Sequence, residues 1–237
     1  MAGGEHRSVP DRQGRRNRGD RPGEGDIPRH LTRVDCHLHT VHSGDSVLSV
    51  DRLAVRVAQE RLDVVCVTDH HTLAGAHEAI ARDIGARVVV GEEIRTHDGE
   101  IIGLFLTDRV PYVLPLPEAV RRIRAQGGLV YVPHPLDRAR RSVGRAGLTR
   151  LCAEGVVDVV ETFNAKIGDQ RLNTDAADIA AAHGVAGGVG SDAHDPPGVG
   201  AAYAEMPDFD GPRSFLAALR EARVVGEYRD HAVDWEA

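Results

Sequence analysis

The sequence predicts an α/β fold in which a mainly parallel sheet closes into a compact barrel. From residue 31 onward, short apolar runs rich in β-branched residues alternate with segments of helical period, a pattern typical of repeated strand–helix units. Six or seven such units in about 205 residues favour a barrel slightly short of eight full units. The sequence has no internal repeat and no linker in this region, so we expect one barrel domain over residues 31–237.

The first half of the barrel opens with the strand-like run TRVDCHL. Ser49 stands where an N-cap is expected before a helical pattern, and Gly85 ends the next helical pattern. The run DVVCVTD is mostly apolar and β-branched, as expected for a strand buried on both faces. An Asp-Gly pair after the third strand predicts a hairpin turn. The predicted elements are strands at 32–38, 63–69 and 86–94, helices at 49–62 and 73–85, and a hairpin at 96–106.

The second half repeats the same rhythm. Pro117 lies near the first position of a helical pattern and Gly127 near its end, which is the asymmetry that helices favour. The predicted elements are helices at 117–128, 169–184 and 212–222, and strands at 129–135, 156–163 and 185–194. The last of these strands runs into a loop that contains Asp192 and His194.

Composition excludes several classes of protein. The net charge is −7, so no basic field argues for long nucleic acid as a partner. Three widely spaced cysteines do not form a disulfide framework, so we expect a reducing, cytoplasmic compartment. No apolar run approaches the ~20 residues of a membrane span. Residues 1–30 are rich in arginine and glycine, and we expect them to form a disordered tail.

Polar side chains collect where the predicted strands end. Asp35, His37 and His39 lie in or just after the first strand, and further acids and histidines follow the later strands. In a parallel barrel all strand C-termini open on one face, so these residues converge in space. The other residues of this kind are Asp69, His70, Glu92, Glu93, His134, Glu161, Asn164, Asp192 and His194.

The stretch DCHLH gives the strongest signal for a metal. Alternation along a strand predicts that Asp35, His37 and His39 face one side, whereas Cys36 faces the other side and belongs to the core. A lone strand histidine would be explained as a hydrogen-bonded core residue. Two histidines in His-x-His spacing, with acids at the ends of the other strands, instead predict a site for Zn²⁺, Mn²⁺ or Fe²⁺.

The motifs DCHLHT, SGDS, VTDHHT, GEEI, VPHP and GSDAH stand in the order found in the polymerase-and-histidinol-phosphatase (PHP) superfamily. The chain also resembles the stand-alone phosphoesterase branch in GEIIGLFL and GGLVYVPHP. The resemblance covers residues 33–203. It implies a distorted (β/α)₇ TIM-like barrel with two or three divalent metal ions at the strand C-termini.

The resemblance implies three groups of metal ligands. His37, His39 and Asp192 match the ligands of one ion. Glu93 matches the carboxylate that bridges to a second ion, of which His134 is a further ligand. The third ion is matched by Asp45, His70 and His194. Asp35 and Asp69 would then accept hydrogen bonds from the imidazoles and fix their tautomers.

One position departs from the family. Many members have a histidine before the Leu-Leu-Gly run, and we assign Ile101 to that place, which predicts a weak or absent second ion. His97 is a candidate substitute, although the run THDG is explained more simply as an exposed turn. Glu92 is interpreted as a hydrogen-bonding neighbour, and His42 and His71 as histidines that are not ligands.

The resemblance implies hydrolysis of a phosphomonoester or phosphodiester. Paired divalent ions lower the pKa of a bound water and neutralise charge on phosphoryl oxygens. Arg138 and Arg140 follow a candidate ligand on the same barrel face, and Lys166 is the only lysine; we expect these three to contact phosphate. Glu93, Asp192 and His194 are the candidate catalytic residues, with His194 or a metal-bound water as the proton donor.

The expected substrate is a small phosphorylated metabolite, a nucleotide or a short oligonucleotide, and no obligate protein partner is inferred. Two alternatives stay open at this point. Related barrels that begin with His-x-His include metal-dependent C–N hydrolases of the amidohydrolase type, which usually bridge their metals with a carboxylated lysine. Lys166 lies past a strand end, which disfavours that role. The second alternative is a metal-binding module without catalysis.

Overall fold

The protein, seen in a computed structural model, is described at Met1 and at residues 31–228. The tail expected at residues 1–30 lies outside the described residues, apart from Met1. The strands are β1 (Thr32–Leu38), β2 (Val64–Val67), β3 (Arg87–Thr96), β4 (Gly99–Leu104), β5 (Leu129–Val132), β6 (Val159–Asn164), β7 (Ala186–Gly190), β8 (Ala202–Met206) and β9 (Arg223–Gly226). The α-helices are α1 (Val50–Glu60), α2 (Ala74–Arg82), α3 (Leu116–Ala125), α4 (Gly144–Ala153), α5 (Arg171–Ala182) and α6 (Pro212–Arg220).

Local chemistry explains most of these boundaries. The Ser49 side chain accepts a hydrogen bond from the backbone N–H of Arg52, so the predicted N-cap of α1 is confirmed. Helix α2 ends at Arg82, three residues before the predicted end, because Asp83 adopts a left-handed conformation with φ of 50°. Helix α4 and strands β8 and β9 were not predicted, since their sequences carry neither strong caps nor long apolar runs.

The strands form one sheet in the order β7-β6-β5-β4-β3-β2-β1-β8-β9. Strands β1 to β3 are parallel to one another, as are β5 to β7, and β4 runs antiparallel between the two sets. The sheet curls until β7 meets β1, where Asp192 N–H donates to the His37 carbonyl at 2.7 Å and His39 N–H donates to the Ala193 carbonyl at 2.9 Å. The predicted α/β barrel is confirmed.

A register shift in β1 re-aims the side chains that reach the site. The pairing of β1 with β2 slips between Asp35 and Leu38, as a β-bulge does. Cys36 is fully buried in the cluster that contains Cys66, and the next residue, His37, also points into the barrel, where it meets Glu161 at 3.0 Å. Strict alternation from Asp35 to His39 is therefore wrong, because the bulge turns two successive side chains inward.

Apolar side chains fill both faces of the parallel strands. All four residues of β2 are buried, in agreement with the prediction from its β-branched run. Val64 and Cys66 pack inside the barrel, whereas Val65 and Val67 pack in the cluster that includes residues of α1 and α2. Within residues 31–228, no helix has both the length and the hydropathy to cross a membrane.

Candidate active site

A cavity of about 520 Å³ opens at the carboxyl ends of the barrel strands. Its walls combine histidines and carboxylates with four cationic side chains. The cationic residues are Arg95, Arg140, Arg141 and Lys166. Ligand pockets of proteins commonly have this size, so the cavity can enclose a small substrate together with metal ions.

The first group of candidate ligands is buried, and two of its members, Glu93 and Asp192, line the cavity. The Nε2 atoms of His37 and His39 are 3.0 Å apart, and they lie 3.3 and 3.1 Å from Oε2 of Glu93. Oδ1 of Asp192 is 3.7 and 3.6 Å from the same two nitrogens. Four donor atoms thus converge around one point, as the sequence predicts for the first ion.

The third predicted group is also brought together. Oδ2 of Asp45 lies 3.4 Å from Nε2 of His70 and 3.6 Å from Nε2 of His194. The ring of His39 packs between them, with its centroid 4.6 Å from that of His70 and 4.2 Å from that of His194. His39, His70 and His194 could hold one ion, so His39 lies between two candidate sites.

The second group contains a residue that the sequence analysis missed. Glu93 Oε1 lies 3.0 Å from Nε2 of His134, and donor atoms of Glu100 join these two within 4.8 Å of one another. Ile101 is fully buried in a cluster of apolar side chains, so its assignment to the missing ligand position is wrong by one residue. Alternation along β4 turns Ile101 away from the cavity and turns Glu100 toward it.

Several of these donor atoms lack a hydrogen-bond partner or lie beside a like charge, and both observations favour bound metal ions. Oδ1 of Asp192 and Nδ1 of His134 are buried and have no hydrogen-bond partner. Glu93 and Glu100 place two carboxylates side by side in a buried region, an arrangement that is unfavourable unless a cation or protons lie between them. Imidazole and carboxylate donors together suit Zn²⁺, Mn²⁺ or Fe²⁺.

Glu161 orients His37, a role that was not predicted from the sequence. Its Oε1 accepts hydrogen bonds from His37 Nδ1 at 3.0 Å and from the Tyr131 hydroxyl at 2.9 Å. Its Oε2 accepts from the backbone N–H of His134 at 2.6 Å and from Asn164 Nδ2 at 2.9 Å. With the proton held on Nδ1, the Nε2 lone pair of His37 faces His39 and Glu93 and is free to bind a metal ion.

Ser43 performs the corresponding task for His39. Its hydroxyl lies 3.0 Å from Nδ1 of His39 and donates to Oδ1 of Asp69 at 2.7 Å. Asp69 therefore acts through Ser43 rather than on an imidazole directly. Asp35 accepts hydrogen bonds from two backbone N–H groups, those of His37 and Ser191, so its predicted contact with an imidazole is wrong, because the β1 bulge aims it at the backbone.

Burial and charge together set the protonation of these groups. Burial opposes ionisation of Glu93, but the charge of His37 and hydrogen bonds from neighbouring histidines hold the pKa of Glu93 well below its usual value. Burial also opposes ionisation of Asp45, yet His194 and His70 lower its pKa. Burial lowers the pKa of His194 to about 4, which leaves a neutral imidazole, the form that binds metals.

The remaining acids and histidines near the motifs lie outside the candidate ligand groups. His97 is exposed in the turn between β3 and β4, and His42 pairs with Glu78 at 2.6 Å on the surface. Glu92 is buried and accepts from the backbone N–H of Val110 at 2.8 Å; burial raises its pKa to about 7. His71 lines the cavity, although its neighbour His70 is the candidate ligand.

The cationic side chains are only partly those predicted. Arg140 Nη1 contacts Oδ2 of Asp192, and Lys166 Nζ lies 2.8 Å from Nδ1 of His194. Arg138 is exposed and does not line the cavity, because the short turn after His134 directs it to solvent. Arg95 and Arg141 do line it. The arginine of β3 could have been found from its place two residues after Glu93 in an alternating strand.

Comparison with known sequences identifies the family. The sequence profile of the PHP domain matches residues 35–163, and the profile of the PHP-associated region matches residues 170–224. An uncharacterized protein of Methanocaldococcus jannaschii is 36% identical over 197 residues, which cover 79% of this chain and 79% of that protein.

Solved structures share the fold at low sequence identity. A two-domain protein from Bacteroides vulgatus that contains a predicted PHP-like metal-dependent phosphoesterase has a TM-score of 0.66 at 17% identity, covering 83% of this chain and 65% of that one. An amidohydrolase from Chromobacterium violaceum has a TM-score of 0.61 at 17% identity, covering 81% and 97%. The PHP profile spans more than half of the sequence, and the chain belongs to the PHP domain family.

Proposed function

We propose that this chain is a metal-dependent hydrolase of phosphate esters. Membership of the PHP family supports a metal-dependent hydrolase. The choice of phosphate rests chiefly on one observation: four cationic side chains line the same cavity as the metal-ligand groups. An amide substrate needs no such concentration of positive charge, whereas a phosphate dianion does.

The candidate ligands divide into a histidine-rich part and a carboxylate-rich part. In our proposal His37, His39 and Asp192 hold one ion, and Asp45, His70 and His194 hold another. Glu93 lies between the groups, because its two oxygens approach His39 on one side and His134 on the other. Bound divalent ions in such a cluster supply a water of lowered pKa and neutralise charge on phosphoryl oxygens.

Glu100 bears on which metals bind. Together with Glu93 and His134 it makes a group of two carboxylates and one imidazole. Carboxylate ligands favour harder ions, so we propose Mn²⁺ or Fe²⁺ rather than Zn²⁺ for this group. The count of ions is then two or three, and the second group is not weakened by Ile101, which lies outside the cavity.

Arg140 and Lys166 are the proposed phosphate contacts. Both lie beside the histidine-rich groups, next to Asp192 and His194 respectively. The guanidinium can exchange its contact with Asp192 for a phosphate oxygen when that carboxylate binds an ion. Burial lowers the pKa of Lys166 to about 8, so the amine still carries most of its charge near pH 7. His194, held neutral by burial, is proposed as a ligand rather than as the proton donor.

Hydrolysis of a C–N bond is the second candidate function. It is favoured by the shared fold with the amidohydrolase from Chromobacterium violaceum. Two observations disfavour it. Glu93 lies between the two candidate groups, so a carboxylate already fills the place that such enzymes usually give to a carboxylated lysine. Lys166 lies beside His194 instead.

A side-by-side assay separates the two functions. Protein freed of metal and reloaded with Mn²⁺ is incubated with 4-nitrophenyl phosphate, bis(4-nitrophenyl) phosphate and 4-nitroacetanilide, and coloured product is measured in each. We expect turnover of at least one phosphate ester and none of the anilide. The His37→Ala variant is the control for contaminating phosphatases. Turnover of the anilide without release from either phosphate ester would reject the proposal.

A further inference from the structure

A stack of side chains stands beside the cavity and belongs to none of the candidate metal-ligand groups. The ring of His71 borders the cavity and lies against the ring of Tyr112, with centroids 4.3 Å apart and planes inclined by only 20°. The guanidinium of Arg109 lies 5.8 Å from the centroid of Tyr112. Three planar groups from two separate loops therefore form one layered wall, which we call the rim stack.

The rim stack is held in place by strained backbone. His71 has a φ of 58° and Val113, next to Tyr112, has a φ of 57°, a region that β-branched residues rarely adopt. Both are fixed to β3: His71 N–H donates to the Glu93 carbonyl at 3.1 Å, and Val113 N–H donates to the Arg95 carbonyl at 2.8 Å. Strain of this kind persists where the surrounding structure enforces it, and it is concentrated at ligand sites.

The stack also uses a scarce residue type in an exposed place. Aromatic residues make up 4% of the chain, yet Tyr112 is 52% exposed instead of filling the core. Arg95, whose carbonyl anchors Val113, itself lines the cavity. The wall thus presents planar surface and positive charge side by side, close to the carboxylate-rich ligands.

We propose that the rim stack is the binding wall for an aromatic ring in the leaving group of the substrate, such as the base of a nucleoside phosphate. The inference rests on the proposed phosphoesterase function and narrows its substrate class. The phosphate lies at the metal ligands, the ring packs against His71 backed by Tyr112, and a base of any identity is accepted, since every base has a π-face.

The test compares two probes, of which one carries the base and the other a hydroxyl in its place. AMP and ribose 5-phosphate are given to the Mn²⁺-loaded wild-type protein and to the Tyr112→Leu and Tyr112→Phe variants, and KM is measured for each. Binding of the slowly hydrolysed analogue adenosine 5′-phosphorothioate and of ribose 5-phosphate is measured in parallel by calorimetry. Thermal melting of each variant checks that the fold is intact, which half exposure of Tyr112 favours.

Tyr112→Leu removes the ring that backs His71 but leaves His71 itself in place. We therefore take the low end of base-stacking energies for its effect, which is a change in affinity of about five- to tenfold. We expect Tyr112→Leu to weaken AMP and its analogue by this factor and to leave ribose 5-phosphate unchanged, whereas Tyr112→Phe keeps wild-type values. Equal effects on both probes, or no effect on AMP, would overturn the rim stack proposal. Absence of all hydrolysis with intact, ring-dependent binding would instead reject the phosphoesterase function alone.

Discussion

Replacement of Glu161 by glutamine removes the carboxylate that orients His37 and leaves the size of the side chain at position 161 unchanged. The carboxylate is fully buried and accepts hydrogen bonds from four groups, two at each oxygen. Those at Oε1 come from His37 and Tyr131, and those at Oε2 come from His134 and Asn164. The amide of glutamine has one oxygen and one NH₂, so whichever way it turns, NH₂ faces a pair of donors.

The size of the effect follows from this mismatch. A hydrogen bond to a charged group contributes about 1.5–3 kcal/mol, and a buried donor left unpaired costs about 1–3 kcal/mol. We therefore expect Glu161→Gln to lower the free energy of unfolding by about 2–5 kcal/mol. Loss of the partner that fixes a ligating imidazole lowers metal affinity by about 10- to 100-fold, and we expect that loss here.

The assay measures Mn²⁺ affinity by competition with a fluorescent chelator and unfolding by urea titration. Tyr131→Phe is the matched control, because it deletes one of the four hydrogen bonds and keeps the charge. Its loss of one hydrogen bond to the carboxylate should cost about 1.5–3 kcal/mol and leave Mn²⁺ affinity within a factor of three. If Glu161→Gln folds and binds Mn²⁺ as tightly as the wild type, the orienting role assigned to Glu161 is refuted.

The other predictions concern individual side chains of the site. Glu100→His should raise affinity for Zn²⁺ relative to Mn²⁺, measured by competition between the two ions; unchanged preference would contradict its place among the ligands. Burial opposes protonation of His37, yet its neighbouring carboxylates raise its pKa from 6.5 to about 10 in the metal-free protein. Its stabilising effect is therefore complete below pH 6.5 and lost as the pH rises towards 10, so urea titrations should show the gap between wild type and His37→Asn closing over that range. Arg140→Ala should raise KM for a phosphate ester about 10- to 100-fold, whereas Arg138→Ala should stay within twofold in the same steady-state assay. Gly190→Ala places a methyl group 2.5 Å from Cβ of His37, and a melting curve should show a loss of about 1–3 kcal/mol.

Much of the site could be predicted because its residues directly follow strands that are visible in the sequence as apolar runs. The residues that follow apolar runs, such as His134 and Asp192, converge on one face wherever a parallel barrel forms. The β-branched run of β2 and the N-cap at Ser49 are local signals, and the structure agrees with both. Local pattern was sufficient for these features.

The remaining features depend on contacts between distant segments. The bulge in β1 and the role of Glu161 arise from pairing across the barrel, which no local period reveals. The exchange of Ile101 for Glu100 is an error of one residue, and one residue reverses the face of a strand. The exposure of Arg138 depends on the turn that follows His134. His134 itself has a φ of 28°.

Metal-dependent hydrolysis is tested most directly by a titration of metal-free protein with Mn²⁺ while release of inorganic phosphate from a phosphomonoester and of product from a phosphodiester is followed. We expect no turnover without metal and a rise that reaches its plateau at two or three equivalents of Mn²⁺ per chain. Full turnover by the metal-free protein, or saturation with Mn²⁺ without hydrolysis of either phosphate ester, would contradict this expectation.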